Sequence, residues 1–354
     1  MSTPAAERPS RSTVASPTHP NAFTLDLIVR MLRTTVFHYS FGFVAIIGLK
    51  ALELPWSHPA TQLALGYTAL LLVIYGVAHR FRAKETIDWQ DQVVVVTGGS
   101  GGVGACLSGI LAMRGAHVAV LDVEPFASHM PNVKFFPCDV ADIEQLHAAA
   151  EAIRGDLGHP TVLINNAGCA IKGSILDVEP AQVEKMFRVN SMAHFWTIRE
   201  FLPDMLRRNE GHIVTVSSIL GWCAPAGLSG YGASKAALNV LHDSLHEELR
   251  MRGTKVRASL ICPGHIGTRL FADLNTANEF LLPVLSPMDI VEAVIEAIGA
   301  KQSREYYLPW ATNMMPLFNI FPLWMRSYLK ELLGVDQSVR HLIPRQPAVH
   351  DKEN

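Results

Sequence analysis

Cysteine is scarce in this chain and odd in number: five in 354 residues, at Cys106, Cys138, Cys169, Cys223 and Cys262. None stands in a C-x-x-C pair. That spacing speaks against a disulfide framework or a zinc site, so no metal is expected and a reducing compartment is. An excess of either charge is also missing, with 30 basic against 32 acidic residues and a net charge of −2. The basic residues are scattered, which removes the electrostatic footprint of a nucleic-acid partner. Internal repeats are absent, and low complexity is confined to the first residues. Residues 1–24, built from Ser, Thr, Pro and Ala with little to bury, are expected to be disordered and do not resemble a secretory signal.

What the chain has in plenty is apolar sequence, 49% of it hydrophobic, enough for one large domain and an appendage. Two apolar stretches, roughly 34–52 and 60–78, flank the turn Glu53-Leu54-Pro55-Trp56-Ser57-His58-Pro59. The second is free of charge over nearly the ~20 residues that cross a bilayer; His38, Ser40 and Lys50 interrupt the first. Arg30 and Arg33 precede the pair, and Arg80, Arg82 and Lys84 follow it, whereas the turn carries no basic residue. By the positive-inside tendency both outer ends face the cytosol. The pattern predicts a membrane anchor of one or two helices over residues 25–85, as a spanning hairpin or an interfacial one, the alternative being helices buried in the domain.

Beyond Asp88, short apolar runs alternate with longer helical patterns: 92–97, 117–121, 133–137, 161–164, 212–216, 255–261 and 305–308. This predicts an α/β fold, a doubly wound parallel sheet, over residues 86–309. Runs such as Val93-Val94-Val95-Val96 lack polar alternation, as strands covered on both faces do. Residues 310–354 read as an apolar extension and tail. Its stretch from Met314 to Leu333 mixes large apolar side chains with Trp324, Arg326, Tyr328 and Lys330, which suits a membrane interface or, equally, a flap over the sheet or a dimer contact.

The first strand runs into Thr97-Gly98-Gly99-Ser100-Gly101-Gly102-Val103-Gly104. Glycines allow a sharp turn and close approach of a pyrophosphate, and the free N–H groups of the following helix supply donors and partial positive charge. Gly99, Gly101 and Gly104 fit G-x-G-x-x-G, and Gly98, Gly102 and Gly104 fit T-G-x-x-x-G-x-G; both spacings indicate dinucleotide binding. The second strand ends in Asp122, where a carboxylate can accept both ribose hydroxyls and repel a 2′-phosphate, so NAD is favoured over NADP.

Tyr231-Gly232-Ala233-Ser234-Lys235 places a phenol and an ammonium on one helix face at i, i+4. A neighbouring cation, with the positive nicotinamide of an oxidised cofactor, would bring the phenol from its usual ~10 toward working pH as a general base. Alone the pair is weak; with four other motifs it is not. The glycine turn, Cys138-Asp139-Val140, Asn165-Asn166-Ala167-Gly168, Ser218 with Tyr231 and Lys235, and Pro263-Gly264-His265-Ile266-Gly267-Thr268 occur in order. Over roughly 88–308 the chain resembles the short-chain dehydrogenase/reductase family, a Rossmann fold.

The resemblance implies roles residue by residue. Tyr231 accepts the alcohol proton, Lys235 lowers its pKa and binds the nicotinamide ribose, and Ser218 hydrogen-bonds the substrate oxygen. Asn190 holds a helix irregularity and a relay water, a role that suits an asparagine inside a helix. For the cofactor, Thr97, Gly98, Ser100, Gly102, Val103 and Gly104 form the phosphate turn. Asp122 takes the ribose, Asp139 and Val140 the adenine, and Asn166, Ala167 and Gly168 line the cleft. Ile266 and Thr268 fix the carboxamide, and Pro263 and Gly264 complete the cofactor site; His265 has no role. The N-terminal anchor, Asp122 and Leu308-Pro309 further resemble the membrane-bound retinol and hydroxysteroid dehydrogenase branch of endoplasmic reticulum and lipid droplets. An NAD-dependent dehydrogenase of a lipophilic alcohol on the cytosolic membrane face is expected, with a homodimer as the candidate assembly. The alternative is an NADP-dependent ketoreductase of keto-sphingoid or 3-ketoacyl lipids.

Overall fold

In the computed structural model, residues 22–81, 87–274 and 278–343 are described. The disordered segment expected over 1–24 therefore lies outside the described residues except for its last three, as do Arg82, Lys84 and the end of the tail. Seven strands form one parallel sheet: β1 (Val93–Thr97), β2 (His117–Asp122), β3 (Val133–Pro137), β4 (Val162–Asn165), β5 (His212–Val216), β6 (Arg257–Pro263) and β7 (Glu305–Leu308). Their order is β3-β2-β1-β4-β5-β6-β7, so the direction of winding reverses between β1 and β4 and opens a crevice at the carboxyl ends there. The expected strands are all present; β6 starts later than expected and runs on to Pro263.

The two-residue period of β1 explains how both faces are filled. Val93 and Val95 point into one core with Leu146, Ile153, Phe201, Met205, Leu245 and Leu249. Those residues come from α5 (Ile143–Asp156), α7 (Ala193–Arg208) and α8 (Ser229–Met251). Val94 and Val96 point into the other, with Leu107 and Leu111 of α4 (Gly102–Met113) and Ile290, Val291 and Val294 of α9 (Pro287–Gly299). A short α6 (Pro180–Phe187) enters α7 through a π-helical turn, Arg188–Met192.

Ahead of the sheet lie α1 (Leu25–Thr34), α2 (Tyr39–Ala51) and α3 (Pro59–Phe81). Among the described residues no helix is long and apolar enough to cross a membrane, which corrects the expectation of a spanning hairpin. Thirteen residues make α2 about 20 Å long, short of a ~30 Å hydrocarbon core, and Thr61, Gln62, Tyr67 and Thr68 interrupt α3. The pair is nevertheless apolar outward. Thr61, Thr68 and Leu71 are buried, while Phe41, Phe43, Val44, Ile47, Leu63, Leu70 and Val73 are exposed. A Cβ on Gly42 would run into the Thr68 hydroxyl, so the absence of a side chain is what lets α2 approach α3.

Helix α1 is not part of that pair. It packs against the 3-10 segment Trp310–Ile320, with the Trp310 N–H donating to Asp26 Oδ1 at 2.7 Å and the Leu25 N–H to the Phe280 carbonyl at 2.9 Å. Helix α1 and the start of the C-terminal extension thus meet. The extension continues as α10 (Leu323–Leu332) and α11 (Val335–Val339).

Candidate active site

At the end of β1 the chain turns through Gly98 at φ +62°. A Cβ there would sit 2.8 Å from Ala167 Cα, and one on Gly104 would strike the Gly98 carbonyl; the turn closes only with glycine at both positions. Beyond Gly101 there is open space, and a Cβ on Gly102 would sit 3.6 Å from the Thr268 methyl. Helix α4 has no side-chain cap at Gly101, so its first-turn N–H groups face that space. The Ser100 hydroxyl is buried without a partner. An orphaned hydroxyl, an uncapped helix start and glycines where a Cβ would intrude fit a nucleotide diphosphate.

The carboxylate at the end of β2 is already aimed. Asp122 Oδ2 accepts the Ser100 N–H at 2.9 Å and Oδ1 the Glu124 N–H at 3.1 Å. Asn166 braces the turn, donating to the Thr97 and Gly98 carbonyls, each at 3.1 Å. Thr97 Oγ1 accepts the N–H groups of Asn166 and Ala167. Val103 and Val140 are buried in the two cores. Asp139 Oδ1 accepts the Ala141 N–H at 2.9 Å.

The residues expected to be catalytic converge from three elements. Tyr231 and Lys235 lie on the first turns of α8, Ser218 just past β5, and Asn190 in the π-helical turn. All four are buried. That turn is the irregularity expected at Asn190, a feature common at functional sites. Asn190 Oδ1 accepts the Cys169 N–H at 2.8 Å, and its Nδ2 donates to the Cys169 carbonyl and to Ser234 Oγ. It thereby ties the β4 turn to α8. Lys235 Nζ donates to the Val216 carbonyl at 3.0 Å and lies 5.9 Å from the Tyr231 ring centroid. Ser217 points away toward Asn239 Oδ1 and the Lys235 carbonyl, as strand alternation requires.

The protein alone does not lower the phenol; the expected lowering counts in addition on the positive nicotinamide. Burial pushes Tyr231 upward, and a hydrogen bond from Ser218 pulls it back. Burial likewise pushes Lys235 down to about 8. Desolvation is the largest cause for both groups, which are buried.

What seals them was not read from the motifs. The Phe271 ring stands edge-on to Tyr231 with centroids 5.3 Å apart, and Lys172 pairs with Asp273 beside it. Met186, Leu228 and Val339 are buried with Tyr231, and Cys169, Ile171, Leu220, Leu274 and Leu342 pack around them. Val339 and Leu342 belong to the tail. Their contact with the site depends on the chain returning over Gly227, where a Cβ would meet Leu342 at 2.8 Å. His265 packs edge-on to Phe271 at 6.4 Å and so belongs to this cover. One group with metal-ligand spacing, His147 with Glu151 and Glu200, is an ion-pair network: Arg154 donates to both carboxylates, at 2.6 and 2.8 Å.

Parallel sheet, glycine turn and Ser218–Tyr231–Lys235 together define a nicotinamide-dependent oxidoreductase of CH–OH groups. The family described as short chain dehydrogenase matches residues 92–279, and the chain belongs to it. Similar proteins include epidermal retinol dehydrogenase 2 of Mus musculus, 31% identical over 75% of this chain and 87% of its own. Short-chain dehydrogenase/reductase family 16C member 6 of Bos taurus is 30% identical over 74% and 87%. Estradiol 17-beta-dehydrogenase 11 of Rattus norvegicus is 29% identical over 75% and 92%. These relatives place it with the retinol and hydroxysteroid branch. The aldohexose dehydrogenase of Thermoplasma acidophilum shares the fold, with a TM-score of 0.57 at 22% identity over 63% of this chain and 94% of that one.

Proposed function

We propose that this protein is an NAD-dependent dehydrogenase of a lipophilic alcohol, of retinoid, steroid or long-chain type. It works on the cytosolic face of the endoplasmic reticulum membrane or on a lipid droplet. The observation that carries the substrate class is the wall around Tyr231: among the described residues that enclose it, Cys169, Ile171, Met186, Leu220, Leu228, Phe271, Leu274, Val339 and Leu342 are apolar. Such a wall welcomes hydrocarbon carrying one oxygen, and the charged pair beside it, Lys172 with Asp273, is already matched within itself.

The preference for NAD is supported by Asp122, whose fixed carboxylate suits two ribose hydroxyls and repels a phosphate. Membrane attachment through residues 25–85 is supported by the outward apolar face of α2 and α3. The exposed Leu323, Trp324, Tyr328 and Leu332 of α10 add to it. A shallow hairpin fits these helices better than a full crossing.

When bound, the nicotinamide supplies or accepts the hydride. The chain does the rest. Ser218 holds the substrate oxygen, Tyr231 exchanges its proton, and Lys235 holds the ribose and stabilises the phenolate. Asn190 fixes the turn behind them, and Phe271 with the tail excludes water. Purified full-length protein in detergent, given NAD or NADP with retinol, a sterol, a long-chain alcohol and a short soluble alcohol, tests the reading. Turnover of at least one lipid alcohol with NAD is expected; oxidation confined to the soluble alcohol, or strict use of NADP, would overturn it.

A further inference from the structure

Helix α1 is remote in the chain from Ser218, Tyr231 and Lys235, yet its first turn is fastened to both supports of the loop that follows β6. That loop, 263–268, starts beside Ser218, whose hydroxyl donates to the Pro263 carbonyl at 3.3 Å. It ends opposite the phosphate turn, where a Cβ on Gly102 would sit 3.6 Å from the Thr268 methyl. Between those ends backbone bonds hold it on two sides. The Gly264 N–H donates to the Leu308 carbonyl at 2.7 Å, while the Leu285 N–H donates to the His265 carbonyl at 2.8 Å and the Leu285 carbonyl accepts the Gly267 N–H at 2.9 Å. Shortly past Leu308, the Trp310 N–H donates to Asp26 Oδ1 at 2.7 Å. Shortly before Leu285, the Phe280 carbonyl accepts the Leu25 N–H at 2.9 Å, and the Phe280 ring stacks on Phe23 with centroids 5.7 Å apart. Adjacent residues of one helix turn, Leu25 and Asp26, thus grip both supports.

The local chemistry of the turn serves this grip. Thr24 is buried, and its Oγ1 caps α1 by accepting the Leu27 N–H at 3.2 Å, which fixes where the first turn begins. Leu25 is the first helical residue, so its N–H has no partner within the helix and is free for Phe280. A carboxylate in the first turn is favoured by the helix dipole, but Asp26 turns Oδ1 to Trp310 and keeps Oδ2 buried with no partner. A buried acceptor left unpaired costs stability, and the bond to Trp310 is what offsets it. We propose that Asp26 is a positioning residue and that α1 straps the 263–268 loop in the conformation that receives the nicotinamide end of the cofactor. The first helix of the proposed anchor is then part of the frame of the active site. Because the bonds of Leu25 and Asp26 go to the supports of this loop and not to the glycine turn or Asp122, loss of the strap falls on the nicotinamide half of the cofactor and spares the adenosine half.

The proposal rests on the dehydrogenase reading, and its test separates the two. Two variants of the full-length protein each release one support. Asp26→Ala frees Trp310. Leu25→Pro removes the N–H that reaches Phe280 and keeps the helix, since proline suits the first helical position and Thr24 before it is already extended, at φ −122° and ψ 161°. In both, the Kd for NAD is expected to rise about fivefold, roughly the worth of one hydrogen bond, while ADP-ribose, which lacks the nicotinamide, binds within about twofold of the parent. Misplacement of the loop lowers kcat about tenfold. Asp26→Asn, which keeps the acceptor, returns NAD affinity and kcat to within about twofold of the parent. In cofactor-free protein, hydrogen exchange at the Gly264, Gly267 and Leu285 amides quickens in Asp26→Ala and Leu25→Pro, while β1 keeps its protection. Equal loss of NAD and ADP-ribose affinity, a lower Tm with unchanged exchange at those amides, or no rescue by Asp26→Asn would overturn it. Should one variant fail to fold, the other decides by the same readouts. If the parent oxidises no alcohol, the dehydrogenase reading fails, while exchange in the cofactor-free protein still decides whether α1 straps the loop.

Discussion

The two sides of the crevice are built by opposite rules. On the cofactor side the groups come from short consecutive stretches, Thr97–Gly104, Asp122 and Asn165–Gly168, and the space beyond Gly101 is open. On the substrate side the groups come from far apart in the chain, from Cys169 to Leu342, and Tyr231 is closed in by hydrocarbon. A nucleotide is met by backbone donors that a local turn can present; a lipid is met by volume that only distant segments can enclose.

The sharpest test of the divide is Tyr231→Phe, which removes the proton acceptor and leaves the cradle intact. Turnover should fall by about 10³-fold or more with cofactor binding unchanged, and loss of binding in a fluorescence titration would mean that the two sides are not separable. Next in size, Gly104→Ala drives a Cβ into the Gly98 carbonyl. Cofactor affinity should drop more than tenfold and Tm should fall, by a mechanism that overpacking sets at about 1–3 kcal/mol. An unchanged Kd would show that the turn does not hold the pyrophosphate.

Asp122→Ala should narrow the NAD over NADP preference about tenfold, since hydrogen bonds to a charged group are worth about 1.5–3 kcal/mol; equal kcat/KM ratios before and after would assign selection elsewhere. On the substrate side, Val339→Ala should raise KM for a long-chain alcohol several-fold while leaving a short one within about twofold. Identical changes on both substrates would make the tail a folding element only. The smallest effect concerns acid. Burial holds His212 at about 3 and His242 at about 4, against an ordinary 6.5, so each ring gains a proton only on unfolding. Stability is complete above pH 6.5 and is lost as pH falls toward 4 and below; His212→Gln should flatten that decline in urea titrations, and a decline of unchanged slope would place the acid sensitivity in other groups.

Local chemistry was enough for much of this. A run such as Val93–Val96 has one way to be buried on both faces, Gly98 and Gly104 have a turn only glycine can make, and four residues bring Tyr231 and Lys235 to one helix face; each is settled within a few residues. The irregularity at Asn190 came from the family resemblance, and a π-helical turn is found there. Tertiary structure decided the rest. The outward apolar face of α2 and α3 follows from Gly42 meeting Thr68, two residues whose pairing no periodicity specifies. The upward shift of Tyr231 follows from its burial, with the Phe271 ring from a distant loop standing edge-on against it. Burial is a sum over every segment that packs on a group, and when those segments are far apart in the chain, no window of sequence contains the sum.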